Sequence, residues 1–187
     1  PWMSIGYEVQ VSPLQLLTFY NGIANNGKLI KPLLVKRVLE GGHIVRKEFK
    51  AQVMNEKMCS DKTLGTIKGM LEGVVERGTA RNIRTEEYKI AGKTGTAKIF
   101  DSNKKEYISQ YKASFVGYFP AEKPRYSCFV MISAPKVGLY YGNTVAAPVF
   151  KAIADKIYLQ DLKFQESTKF DEKPLMATIP YTKNGQK

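Results

Sequence analysis

The chain has 187 residues, 43% hydrophobic and 25% charged, with a formal net charge of +12 at pH 7. That length and apolar share fit a folded domain with a real core and exclude disorder throughout. No run approaches the roughly 18 consecutive apolar residues of a membrane span, Pro1-Trp2-Met3-Ser4 lacks a signal-peptide pattern, and two cysteines with one histidine leave almost no material for a metal centre or a His-based triad.

In chain order, the first element is a helix opened by Ser12-Pro13-Leu14-Gln15. It combines a capping serine, proline at the first helical position and a capping-box glutamine. Leu14, Leu17, Asn21 and Ala24 are its expected buried stripe, and Asn25-Asn26-Gly27 its left-handed stop. Leu33 to Glu40 and His43 to Phe49 read as a hairpin turning at Gly41-Gly42. Its basic residues, Lys31, Lys36-Arg37 and Arg46-Lys47, alternate with apolar ones, and the chain has no aromatic-and-basic nucleic-acid module, so the positive charge reads as a solvated surface and not a nucleic-acid site.

Ser60-Asp61 caps a second helix with Leu64, Ile67, Leu71, Val74 and Val75 at helical spacing, ended by Gly78. After a loop from Arg81 to Glu87, Tyr88 to Ile99 reads as a strand, followed by a polar tip from Asp101 to Glu106. Lys112 to Phe119 and Tyr126 to Ala134 are two further strands across a turn at Pro120 to Pro124, and Cys128 to Ile132, apolar on both faces, is expected to be central, with Cys128 a buried free thiol and a disulfide as the alternative. Asn143-Thr144 caps a third helix carrying Ala146, Val149, Phe150, Ile153 and Ile157 on one side, and from Lys163 onward a linker or tail is expected. The order gives an α+β fold, an antiparallel sheet with packed helices.

Within the fifth of these segments, Ala91-Gly92-Lys93-Thr94-Gly95-Thr96-Ala97 places a cation, two hydroxyls and a glycine on one strand. With period two, Lys93, Gly95 and Ala97 share one face and Thr94 and Thr96 the other. Such a set can hold a carboxylate. Gly95, without a Cβ, weakens a strand unless another backbone or a ligand must approach closely. Tyr111 and Tyr118 are candidate groove residues against a default of cross-strand packing, and Arg81 and Arg84 candidate attractors of an acidic ligand against a default of a solvated loop.

The neighbours of this segment carry a resemblance. Gly6 to Gln15, Asn25-Asn26-Gly27 with Pro32, Val74-Val75-Glu76 with Gly78-Thr79-Ala80, Ala91 to Ala97, Ser114 to Tyr118 with Pro120-Ala121, and Ala147 to Phe150 resemble, in order and spacing, the penicillin-binding protein transpeptidase domain, a serine acyltransferase fold shared with β-lactamases. The likeness is greatest to class B, septal cell-division transpeptidases, and runs from about Trp2 to Leu162, with 163–187 outside it.

Of the family's three elements in chain order, Ser-x-x-Lys, Ser-x-Asn and Lys-Thr-Gly, only the third is in place. Ser102 to Lys105, Ser109 to Lys112 and Ser133 to Lys136 spell Ser-x-x-Lys after Lys-Thr-Gly and are decoys; no Ser-x-Asn occurs. The chain thus resembles the C-terminal half of the domain, whose partners would include the remaining N-terminal part.

By resemblance, Thr94 and Thr96 hydroxyls bond the terminal carboxylate of a stem peptide ending in D-alanyl-D-alanine, and the Lys93 ammonium supplies positive potential. The Thr96 backbone N–H is one donor of the oxyanion hole, and Gly95 gives room. The resemblance implies acyl transfer in peptidoglycan cross-linking, β-lactam binding, no cofactor and no metal. It also implies divisome membrane proteins as partners, and a parent anchored in the bacterial cytoplasmic membrane with this domain outside. Lacking the nucleophile, the 187 residues alone are expected to be inert. A penicillin-recognising sensor or inactive homologue is the alternative.

Overall fold

Ser12 does what its position predicts: its hydroxyl accepts from Gln15 N–H and the Gln15 side chain accepts from Ser12 N–H, closing a capping box ahead of α1, Pro13–Ala24. The computed structural model describes residues 9, 11–136 and 138–171. Asn26 and Gly27 take φ of 54° and 84°, the left-handed stop expected after Ala24. The buried end of α1 is Gly22, Ile23 and Ala24, while Leu14 is exposed, so the expected stripe is displaced toward the C-terminal turn.

Two strands that the periodicity does not announce follow from pairing. These are β1, Leu29–Ile30, and β4, Val53–Asn55, which flank the hairpin and pair antiparallel. The hairpin, β2 Arg37–Glu40 and β3 Ile44–Glu48, turns through Gly41 and Gly42 at φ of 61° and 79°, which glycine alone adopts freely. The strand starts at Arg37 and not at Leu33, and every residue of both strands is exposed.

Helix α2, Asp61–Glu76, starts on a Ser60 cap that accepts from Thr63 N–H, and buries Leu64, Leu71 and Val75. A short 3-10 turn, Arg81–Ile83, leads into the main sheet. That sheet is an antiparallel meander in the order β5 Ala91–Asp101, β6 Glu106–Phe119, β7 Tyr126–Ser133. The central strand is therefore β6. The sequence expectation placed Cys128 to Ile132 at the centre, but β7 is an outer strand among the described residues, and its residues are half-buried or, as Met131, exposed. An apolar run on both faces reports two covered faces, not a position between two strands.

One face of the sheet meets α1 and α2, where Ile23, Ala24, Leu64, Leu71, Ala91, Tyr118 and Ala121 form a core cluster. On β6 the alternate residues Phe115 and Phe119 take Phe150 edge-on, with ring centroids 4.8 Å and 5.7 Å apart. Phe150 belongs to α4, Ala147–Asp171, preceded by the single turn α3, Gly142–Val145. The helix starts differently from expectation: Tyr141, not Asn143, precedes the first helical residue and offers no side-chain cap, and Val149 and Ile153 are exposed. The chain divides into two compact units, residues 1–152 and 153–187. The second unit is described to Asp171 and is helical to that point, beyond Lys163, where the sequence pattern loses its period. The rest of the expected tail, 172–187, lies outside the described residues.

Candidate functional site

Strand β5 has β6 on one side and no described strand on the other, so the segment Lys93 to Thr96 lies along an open edge. The register is unbroken there: Lys93 faces Val116, Thr94 faces Phe115, Gly95 faces Ser114 and Thr96 faces Ala113, and the bulge falls further on, between Lys98 and Phe100. Lys93 is exposed, and its Nζ donates to the Thr94 carbonyl at 2.9 Å and lies 3.5 Å from Thr94 Oγ1. Among the described residues no carboxylate pairs with this ammonium, so its positive potential is free to act at the strand edge.

The two threonine hydroxyls have partners from other elements. Thr94 Oγ1 is 3.0 Å from Thr79 Oγ1, in the turn after α2. Thr96 Oγ1 accepts from Gly142 N–H at 3.2 Å, at the start of α3. Asn82, also in the turn after α2, donates through Nδ2 to the Asn143 carbonyl at 2.7 Å. Gly95 has the close neighbour its residue type announces: a Cβ there would lie 2.5 Å from Ser114 Oγ, and Gly142 is pressed onto the Gly95 backbone itself. Gly92 is covered too, with Phe115 and the Val116 carbonyl 2.6 Å from where a Cβ would sit.

The decoy serines stay apart from this edge's chemistry. Ser102 to Lys105 forms the β5–β6 turn, Ser109 and Lys112 lie three apart on a strand and so on opposite faces, and Ser133 ends β7. None lies on a helix. Tyr111 stacks on Tyr140, centroids 4.1 Å apart at 14°, and Tyr140 leans on Tyr141 at 4.6 Å. Hydrogen bonding to Tyr141 raises the Tyr140 phenol above its ordinary value.

Tyr118 is not a groove residue. It is fully buried in the core, and burial, with a smaller contribution from the Glu72 charge, pushes its phenol up to about 12. Arg84 is bound to Glu76 at 3.2 Å and Glu86 at 2.9 Å, which removes it as a free attractor. Cys59 and Cys128 are free and half-buried, and burial raises the Cys128 thiol. Thr79, named only within the Gly78-Thr79-Ala80 segment, and Asn82, Tyr140, Tyr141 and Gly142 are neighbours to which the sequence assigns no site role. Nothing in the sequence marks Gly142, which takes no positive φ and whose role is a close approach to another element.

A strand edge bearing an unpaired ammonium, two donors-in-waiting and a residue without a side chain suits an extended peptide ending in a carboxylate. The model of the penicillin binding protein transpeptidase domain matches residues 2–155. Peptidoglycan D,D-transpeptidase FtsI of Buchnera aphidicola subsp. Baizongia pistaciae is 37% identical over 158 residues, covering 83% of this chain and 26% of that protein. FtsI of Escherichia coli K12 is 35% identical over 151 residues, covering 80% of this chain and 24% of its own length. The chain thus spans about a quarter of the length of the curated relatives it matches.

Among solved structures, penicillin binding protein 3 of Mycobacterium tuberculosis superposes with a TM-score of 0.73 at 28% identity, covering 84% of this chain and 37% of that one. The same protein has been solved complexed with aztreonam. Carrying a family match over most of its length, relatives above 30% identity and the fold of solved members, this chain belongs to the penicillin-binding protein transpeptidase family.

Proposed function

We propose that this chain supplies the carboxylate-holding wall of a peptidoglycan D,D-transpeptidase, acting on stem peptides that end in D-alanyl-D-alanine and acylated by β-lactams. The observation that carries the reading is the open β5 edge, on which Lys93, Thr94 and Thr96 stand around Gly95. A terminal carboxylate accepts hydrogen bonds only, and two hydroxyls beside an ammonium donate them with charge assistance. The substrate backbone runs along β5 as an added strand, and Gly95 lets it pass close. The Thr96 backbone N–H contributes one oxyanion donor; in other acyl-transfer sites one such donor is worth about 2.7 to 4 kcal/mol.

Covalent chemistry needs the family's Ser-x-x-Lys and Ser-x-Asn elements, which these 187 residues do not carry in family order. The 187 residues alone are therefore inert, and the complete enzyme joins them to the rest of the domain. On the family resemblance, the same proposal gives the complete protein a septal role, with divisome membrane proteins as partners and the domain held outside the cytoplasmic membrane by an anchor elsewhere in the protein. No described helix is long and apolar enough to cross a membrane. In the complete protein, Lys93→Ala slows acylation by a fluorescent penicillin by at least about tenfold, a loss of one charge-assisted contact. Unchanged acylation removes Lys93 from the site.

A further inference from the structure

A carboxylate has no proton to give, so Thr94 and Thr96 hold one only if each turns its own O–H outward. That requires each hydroxyl oxygen to act as acceptor toward the protein. At Thr96 the neighbour is the Gly142 N–H, 3.2 Å away, a group that donates and never accepts. The Thr96 proton is left for a ligand. At Thr94 the neighbours are Lys93 Nζ at 3.5 Å, again a pure donor, and Thr79 Oγ1 at 3.0 Å, which serves either way.

Both arrangements trace to the turn that Gly78 opens between α2 and β5. Thr79 reaches Thr94 directly. Three residues on, Asn82 donates through Nδ2 to the Asn143 carbonyl at 2.7 Å, next to the residue whose N–H serves Thr96. The clamp is tight at its far end, because Gly142 lies against the carbonyls of Gly95 and Ser114 with no room for a Cβ. One turn, outside the strand, thereby governs the two hydroxyls that matter on it.

We propose that Thr79 and Asn82 are positioning residues for the carboxylate site: Thr79 donates to Thr94 Oγ1, Asn82 fixes the segment whose Gly142 N–H donates to Thr96 Oγ1, and together they turn both hydroxyls outward as donors. The inference rests on the reading of Thr94 and Thr96 given above. Donors from behind also polarise each hydroxyl, which strengthens the bond it gives in front.

The test uses the complete transpeptidase and two acylating probes that differ only at the carboxylate, benzylpenicillin and its methyl ester. Thr79→Val slows benzylpenicillin acylation by about three- to tenfold, the size of one hydrogen bond, and leaves the ester rate unchanged; Thr79→Ser restores the parent ratio. Asn82→Asp shows the same selective loss at neutral pH, since a carboxylate cannot donate to the Asn143 carbonyl. It recovers as the pH falls through the carboxyl range and the protonated acid regains a donor. The parent shows no such recovery.

Thr96→Val, run alongside, separates the two levels of the argument. If it lowers the penicillin-to-ester ratio and Thr79→Val does not, the positioning role is overturned and the carboxylate reading stands. If Thr96→Val leaves the ratio unchanged, both fall. Should circular dichroism show Thr79→Val unfolded, the Asn82→Asp pH profile decides, and a flat profile overturns the proposal.

Discussion

Replacing Gly142 by alanine tests whether the α3 clamp is as tight as its geometry requires. The new Cβ would stand 2.6 Å from the Gly95 carbonyl oxygen and 3.1 Å from Gly95 N, and against the Ser114 carbonyl as well. All three are backbone atoms of paired strands, so none can swing aside. To reach the 3.4 Å of ordinary contact, α3 must lift by about 0.8 Å from the Gly95 carbonyl and by more from the nearer Ser114 carbonyl, which stretches the 3.2 Å bond from Gly142 N–H to Thr96 Oγ1 beyond hydrogen-bonding reach. Overpacking of this kind costs about 1 to 3 kcal/mol, and the lost bond about 1 kcal/mol more. At about 2 to 4 °C per kcal/mol for a chain of this size, Gly142→Ala lowers the melting temperature by about 4 to 16 °C. Gly65→Ala and Gly69→Ala are the matched controls, because a Cβ at either meets nothing within 4 Å on the exposed face of α2. They gain helix propensity, up to about 1 kcal/mol each, and melt higher. Differential scanning fluorimetry on the three variants suffices. A Gly142→Ala protein melting within a degree or two of the parent would refute the clamp.

Two other substitutions probe the core on either face of the sheet. Phe150→Ala removes the ring that sits edge-on to both Phe115 and Phe119 and costs about 3 to 5 kcal/mol in denaturant unfolding, whereas Val149→Ala, at an exposed neighbour, stays within about 0.5 kcal/mol. Tyr118→Phe deletes a buried hydroxyl that has no hydrogen-bond partner among the described residues, so at neutral pH it leaves stability unchanged or raises it. The folded Tyr118 phenol is raised to about 12 from 10.0, so the parent is fully stabilised below about pH 10 and loses that contribution as the pH climbs toward 12. Tyr118→Phe lacks this part of the alkaline slope in pH-dependent unfolding, and an identical slope would refute the assignment.

Local signals were legible where a single residue type has one physical use. Ser12 with Gln15, Ser60, the Asn26-Gly27 stop and the Gly41-Gly42 turn all formed as their chemistry dictates. Long-range choices were not. The apolar run Cys128 to Ile132 is compatible with any strand covered on both faces, and nothing local says that β6 and not β7 lies between two neighbours. Leu14 illustrates the same limit, since helical spacing names a stripe but the tertiary partner decides which turn of it is buried. At the site, Lys93 to Thr96 could be read from one strand. Thr79, Asn82 and Gly142 could not, because their role is a contact with residues 15, 61 and 46 positions away.

The open edge of β5 is also a hazard, because a row of unpaired backbone groups invites pairing with any extended chain. Charged side chains, bulges and short edges are the usual protections, and β5 carries two of them: the Lys93 and Lys98 cations, and the bulge between Lys98 and Phe100. The bulge lies beyond Thr96, and regular pairing geometry runs unbroken from Ala91 to Lys98, a stretch that contains Lys93 to Thr96. On the proposed reading this division is functional. A substrate strand is accepted along the regular stretch, with its terminal carboxylate at the threonines, and longer β-pairing that would lead to aggregation is opposed by the distortion after Lys98.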